Sequence, residues 1–154
     1  MFNELITFLD SQEPKWKYSQ IENKTIVMFG IEGKNGRFHC VADVKENDFQ
    51  FLFYTIASVK VPSDKMQPIA ELLTRINFNK ILGNFELNYN NGQIRYKTSA
   101  DFEGNILTQT QIEKMIMINI FIMDTCIPEI SLVVYGELSP EEALDKILKK
   151  ETEN

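Results

Sequence analysis

Two Asn-Gly pairs, Asn35-Gly36 and Asn91-Gly92, each stand between segments in which apolar and polar residues alternate. Asn-Gly tolerates the positive φ angles of a type I′ turn, so each pair marks a hairpin corner. Alternation sends successive side chains to opposite faces of a strand. A chain with both features is constrained to an antiparallel sheet with one buried face.

The corners define registers. The segment from Trp16 to Val61 reads as three strands joined by two tight turns. With Asn35-Gly36 as a two-residue loop, Val27 faces Val44, Phe29 faces Ala42 and Ile31 faces Cys40 on one side; Glu32 meets His39 and Gly30 meets Val41 on the other. With Glu46-Asn47 as the next loop, Val44 meets Phe49, Ala42 meets Phe51 and Cys40 meets Phe53. Three strands then agree on one apolar face, which a one-residue slip would turn into water. A four-residue turn that includes Gly33 would weaken the first register. At the second corner Tyr89 pairs with Ile94, Leu87 with Tyr96 and Phe85 with Thr98 on the buried side, while Glu86 meets Lys97 and Asn88 meets Arg95 on the wet side.

Elsewhere the apolar period is helical. Phe2, Leu5, Ile6 and Leu9 form one stripe on a short helix that Pro14 ends. A second helix follows Pro62, with Ser63 or Asp64 as candidate cap, Ile69, Leu72, Leu73 and Ile76 as its buried stripe, and Gly83 placed to end it. Pro68 suits only a first turn, so regular helix is expected from about Gln67. Thr110 and Glu113 are spaced as a capping box, and Pro128 is expected to break or kink the helix they open. A further segment runs to Tyr135, Gly136 stops it, and Ser139-Pro140-Glu141-Glu142 opens a last helix carrying Ala143, Leu144, Ile147 and Leu148. The reading is one domain over residues 1–150, with 151–154 as a frayed tail.

Composition narrows the function classes. Apolar residues at 44% and charged residues at 25% allow a packed core. A formal net charge of -6 argues against a phosphate-tracking surface, so no nucleic-acid partner is expected. The amino terminus carries Glu4 where a secretory signal would be basic, and the longest apolar stretch, Met115 to Met123, is far shorter than the roughly twenty residues of a membrane span. No membrane association is expected, and Cys40 and Cys126 read as buried thiols of a cytoplasmic protein.

No reaction site assembles. His39-Cys40 invites a thiolate reading, but strand neighbours point to opposite faces. Asp43, Asp48, Asp101 and Glu103 lack the loop signature of a metal site, and Gly30, Gly33 and Gly36 lead into a strand instead of a helix, against a phosphate loop. No cofactor and no enzyme activity are expected. The informative segment is the third strand, apolar on both sides: Phe49, Phe51 and Phe53 face the core, while Leu52, Tyr54 and Ile56 face away. In the derived register Val41 joins them, so Val41, Leu52, Tyr54 and Ile56 form a candidate partner or dimer surface. The expectation is a noncatalytic interaction module, a homodimer holding a protein or peptide client on its sheet. The alternative is a small-ligand sensor whose pocket, between sheet and C-terminal helices, is lined by Phe51, Phe53, Ile116 and Ile120.

Four stretches carry a resemblance: Arg75-Ile76-Asn77; Gly83-Asn84-Phe85-Glu86-Leu87; Gly92-Gln93-Ile94-Arg95-Tyr96-Lys97-Thr98; and Pro128 leading to Gly136-Glu137-Leu138-Ser139-Pro140-Glu141-Glu142-Ala143. Together with the element order they resemble the YbjN-like bacterial proteins, described as sensory transduction regulators. The resemblance implies a fold similar to type III secretion chaperones, small acidic proteins that often dimerise and hold a client segment. The expected fold is therefore α+β, an antiparallel sheet with helices on one face in the order α-β-β-β-α-β-β-α(α).

Overall fold

A computed structural model describes residues 1–21 and 25–153. Along the chain lie α1 (Phe2–Asp10), β1 (Tyr18–Gln20), β2 (Ile26–Glu32), β3 (Arg37–Lys45), β4 (Gln50–Lys60), α2 (Met66–Asn77), β5 (Asn84–Leu87), β6 (Gln93–Asp101), α3 (Gln109–Val134) and α4 (Pro140–Thr152). The strands form one antiparallel sheet in the order β1-β2-β3-β4-β6-β5. This is the α+β architecture expected, with the three-residue β1 added at one edge.

Apart from Phe49 and Tyr89, which lie outside the strands, the face assignments hold; the registers do not. Observed pairs are Val27 with Ala42, Phe29 with Cys40 and Ile31 with Phe38, while Glu32 meets Arg37 and Gly30 meets His39. Across the next pair Val44 meets Phe51, Ala42 meets Phe53 and Cys40 meets Thr55. Leu87 pairs with Ile94 and Phe85 with Tyr96, and Glu86 sits opposite Arg95. Each hairpin is offset by two residues from the tight-turn expectation, and an even offset leaves every side chain on its own face. Val27, Phe29, Cys40, Ala42, Val44, Phe51 and Phe53 are accordingly all buried.

The turns explain the offsets. Residues 33–36 form a four-residue turn closed by the Gly33 N–H on the Gly36 carbonyl at 2.8 Å. A short 3-10 turn, Glu46–Asp48, joins β3 to β4 and leaves Phe49 at φ 53 and largely exposed, outside the core stripe. The β5–β6 connection is longer than two residues, with the Gly92 N–H on the Asn88 carbonyl at 2.8 Å. It displaces Tyr89 to the surface. At Gly92 a Cβ would lie 2.1 Å from the Val61 carbonyl oxygen, and the Val61 N–H donates to the Gly92 carbonyl at 2.9 Å. Close backbone approach selects glycine there as much as the turn does.

Helix caps or ends differ from expectation in four places. A 3-10 turn at Ser63–Lys65 leads into α2, so Pro68 falls in the first turn, where its missing N–H costs nothing. The helix ends at Asn77, and Gly83 lies instead in the loop before β5, where a Cβ would meet the Lys97 carbonyl at 2.5 Å. The capping box of α3 is Thr108 with Gln111, not Thr110 with Glu113. At the C-terminal end α4 continues through Thr152, and Asn154 lies outside the described residues.

Pro128 neither ends nor interrupts α3, which runs unbroken for 26 residues. In a helix the Asp124 carbonyl would accept from the N–H of residue 128, and proline has none. Asn35 supplies the donor: its Nδ2 lies 2.9 Å from the Asp124 carbonyl. The Asp124 carboxylate in turn accepts the backbone N–H groups of Lys34 (3.0 Å) and Asn35 (2.8 Å). The β2–β3 turn and the proline-containing turn of α3 thus complete each other. Gly136 does end the helix, with the Glu137 N–H on the Leu132 carbonyl at 2.8 Å and the Gly136 N–H on the Val133 carbonyl at 3.1 Å.

By length and composition α3 could cross a bilayer, yet 56% of its apolar window is buried inside the protein. It lies across β4 and β6 as the central core helix, with α1 beside it at the β2–β3 end and α4 and α2 at the other. Asn119, fully buried, fastens it to the sheet: Nδ2 donates to the Phe53 carbonyl (3.2 Å), the Tyr96 carbonyl (3.1 Å) and Thr98 Oγ1 (3.1 Å). Glu129, 5% exposed, pairs with Lys150 of α4 at 2.7 Å.

Candidate functional site

With the helices packed on the inner face, the outer face of the sheet carries the partly exposed apolar positions. In β4, Phe51, Phe53 and Thr55 alternate inward with Leu52, Tyr54 and Ile56 outward, and the outward set is only half-buried. The corrected registers fix their neighbours. One row across the sheet reads Met28, Val41, Tyr54, Lys97; the row on one side reads Ile26, Asp43, Leu52, Ser99, and that on the other Gly30, His39, Ile56, Arg95. Val41, Leu52, Tyr54 and Ile56 therefore do share one continuous patch. The expected pairing of Gly30 with Val41 does not exist, because the hairpin slips by two residues and Gly30 meets His39. Met28, 40% exposed, extends the patch and was not foreseen.

A charged border closes one side. The Arg95 guanidinium lies 4.3 Å from the centroid of the Tyr54 ring, a cation–π contact. Glu86 on β5 accepts from Arg95 Nε at 2.6 Å and from Lys97 Nζ at 2.5 Å. Burial pushes the Glu86 carboxyl up, but hydrogen bonds from Lys97 and Arg95 and their positive charge outweigh it and hold the group below its ordinary value. Towards β1 the patch sinks into a depression of about 570 Å³ whose lining includes Lys17, Met28, Gly30, His39, Val41 and Ile56.

The remaining candidates are separated. His39 is exposed on the outer face and Cys40 is buried on the inner one, so the pair shares no site. Burial pushes the Cys40 thiol up to about 12, against a weak opposing contact from Thr55, and burial likewise pushes Cys126 up to about 12. Neither supplies a thiolate near neutral pH. Among the described residues no group of three His, Cys, Asp or Glu side chains is placed to hold a metal. Phe51 and Phe53 of β4 and Ile116 and Ile120 of α3 are all buried and pack in one core cluster, at the place expected for a small-ligand pocket.

A second surface escaped sequence reading. Phe78 is 91% exposed and Ile81 97%, and both project with Leu82 from the loop between α2 and β5. Their signal was phase: the α2 stripe ends at Ile76, and Phe78, Ile81 and Leu82 do not continue it.

Comparison with known proteins agrees with this architecture. A family model for YbjN, described as "Putative bacterial sensory transduction regulator", matches residues 3–132. Among solved structures, the crystal structure of YbjN from E. coli, titled "a putative transcription regulator", superimposes with a TM-score of 0.54 at 16% identity, over 87% of this chain and 88% of that one. At that identity the likeness shows the fold alone. No curated protein matches the sequence. With 130 of 154 residues under the family model, this chain belongs to the YbjN family of bacterial regulators.

Proposed function

We propose that the chain is a noncatalytic regulatory module that holds a protein or peptide segment on the outer face of its sheet. The observation that carries this reading is the apolar patch of Val41, Leu52, Tyr54 and Ile56, left partly exposed while the helices pack on the opposite face. Contiguous apolar surface on an otherwise charged protein commonly marks an interface. Two further observations support it: the family is described as a regulator and not as an enzyme, and the two cysteines are buried with raised pKa values.

The cytoplasm is the proposed compartment. The test is a double substitution, Leu52→Asp with Tyr54→Asp, checked for unchanged circular dichroism and then compared with the wild type by affinity capture from bacterial lysate. Proteins retained by the wild type should be lost from the variant. Identical retention by both would remove this face from the function.

A further inference from the structure

The outer face contains a glycine that the fold does not require. Gly30 sits in the interior of β2, outside the positive-φ region, and a Cβ there would meet nothing closer than the Phe38 carbonyl at 3.9 Å. Glycine inside a strand is destabilising relative to alanine, because it loses more backbone freedom on folding. Where a chain's own neighbours do not demand it, such a glycine marks the approach of another backbone or ligand. Gly30 is part of the depression bordered by Met28, Val41 and Ile56, with Lys17 and His39 also in its lining.

The same chain carries a projection of matching chemistry. Phe78, Ile81 and Leu82 stand out from a loop that is held in place. The Asn79 N–H donates to the Ile76 carbonyl (3.2 Å) and the Lys80 N–H to the Asn77 carbonyl (3.0 Å). Tyr96 Oη donates to the Leu82 carbonyl (2.6 Å), and the Lys80 ammonium pairs with Glu151. The Asn77 amide clasps Phe85, accepting its N–H at 2.7 Å and donating to its carbonyl at 3.0 Å. A loop fastened at both ends presents its apolar side chains with little ordering entropy left to lose on binding.

We propose that the chain self-associates head to tail, the Phe78–Leu82 loop of one molecule entering the Gly30 depression of another. The proposal rests on the docking role of the outer face and names its occupant. Charge is compatible with it: beside the loop Arg75 and Lys80 are answered by Glu71, Glu141 and Glu151, and the charged side chain lining the depression is Lys17. A bilayer fits less well, since Lys80 is occupied by Glu151 and the protein carries a net charge of -6. Loop and depression lie towards opposite edges of the sheet, so one contact leaves a free copy of each and the interaction is heterologous. Three inserted side chains bury on the order of 400 Å² per partner. That is below the about 800 Å² of a standard interface, so the assembly is weak and depends on concentration.

Sedimentation of the full chain from micromolar to millimolar concentration tests this. The wild type should gain mass steadily above its 17.9 kDa monomer. Gly30→Val raises a branched side chain into the depression where the loop would enter, and Phe78→Ser with Ile81→Ser removes most of the projection; each variant should stay monomeric, with the Gly30→Val melting temperature unchanged or raised. An equimolar mixture of the two should form a one-to-one dimer and nothing larger, because one supplies the intact loop and the other the intact depression. A monomeric wild type, association by either variant alone, or a mixture that stays monomeric would overturn the proposal. The outer-face reading is judged separately, by whether Leu52→Asp with Tyr54→Asp loses captured partners in the same preparations.

Discussion

Replacing Asn35 with alanine should cost the fold about 1 kcal/mol, and roughly half of that cost should disappear when Pro128 is also replaced. The Asn35 Nδ2 lies 2.9 Å from the Asp124 carbonyl, which has no helical donor because residue 128 is proline. Asn35→Ala leaves that acceptor to water, a loss near the middle of the about 0.5–1.5 kcal/mol range for one hydrogen bond. The two backbone N–H groups that hold the Asp124 carboxylate are untouched, so the turn itself persists. Pro128→Ala restores an N–H in the helix, and the carbonyl then keeps a partner whether or not Asn35 is present. The coupling energy from urea unfolding of the wild type, both single variants and the double variant should be about 0.5 kcal/mol. In thermal melts the single Asn35→Ala change corresponds to about 2–4 °C for a chain of this size. Equal costs of Asn35→Ala in the two backgrounds would show that the side chain does not stand in for the missing helical donor.

Three further outcomes are expected. Asn119→Ala removes the donor shared by the Phe53 and Tyr96 carbonyls and Thr98, and should lower stability by about 1–3 kcal/mol in chemical denaturation. Because the folded-state pKa of Glu86 is depressed, its contribution is present above the unfolded value and lost as pH falls through the folded one; Glu86→Gln should therefore flatten the acid limb of a stability-against-pH curve. A curve with the same acid slope in both proteins would contradict the pairing with Lys97 and Arg95. Cys40 and Cys126, with thiols pushed up to about 12, should be inert to iodoacetamide in the native protein at pH 8 and react only on unfolding, as read by mass spectrometry.

Strand faces were legible because they depend on local alternation. Val27, Phe29, Cys40, Ala42, Phe51 and Phe53 needed no knowledge of distant segments to be assigned inward, nor Val41, Leu52, Tyr54 and Ile56 outward. The start of the last helix was readable for the same reason, since the Ser139 cap, Pro140 and the acids Glu141 and Glu142 all lie within one turn. Turn length was not local. Gly33 to Gly36 closes as four residues with Asp124, some ninety positions away, receiving two of its N–H groups, and the loop before Gly92 is shaped against Val61. An Asn-Gly pair suits a two-residue corner equally well on its own, so the tightest turn was the natural reading and each register came out two residues off.

The candidate surface divides in the same way. Its membership followed from alternation, whereas its shape depends on which residues sit side by side. The registers place Gly30 beside His39 and Arg95 over Tyr54, and neither neighbour is visible along the chain. Local periodicity determines which face a side chain occupies, because the backbone repeats every two or 3.6 residues whatever lies around it. Register, the unbroken passage of α3 through Pro128 and the exposure of Phe78 and Ile81 are settled by hydrogen-bond partners and packing surfaces supplied from elsewhere in the fold, and only tertiary structure brings those together.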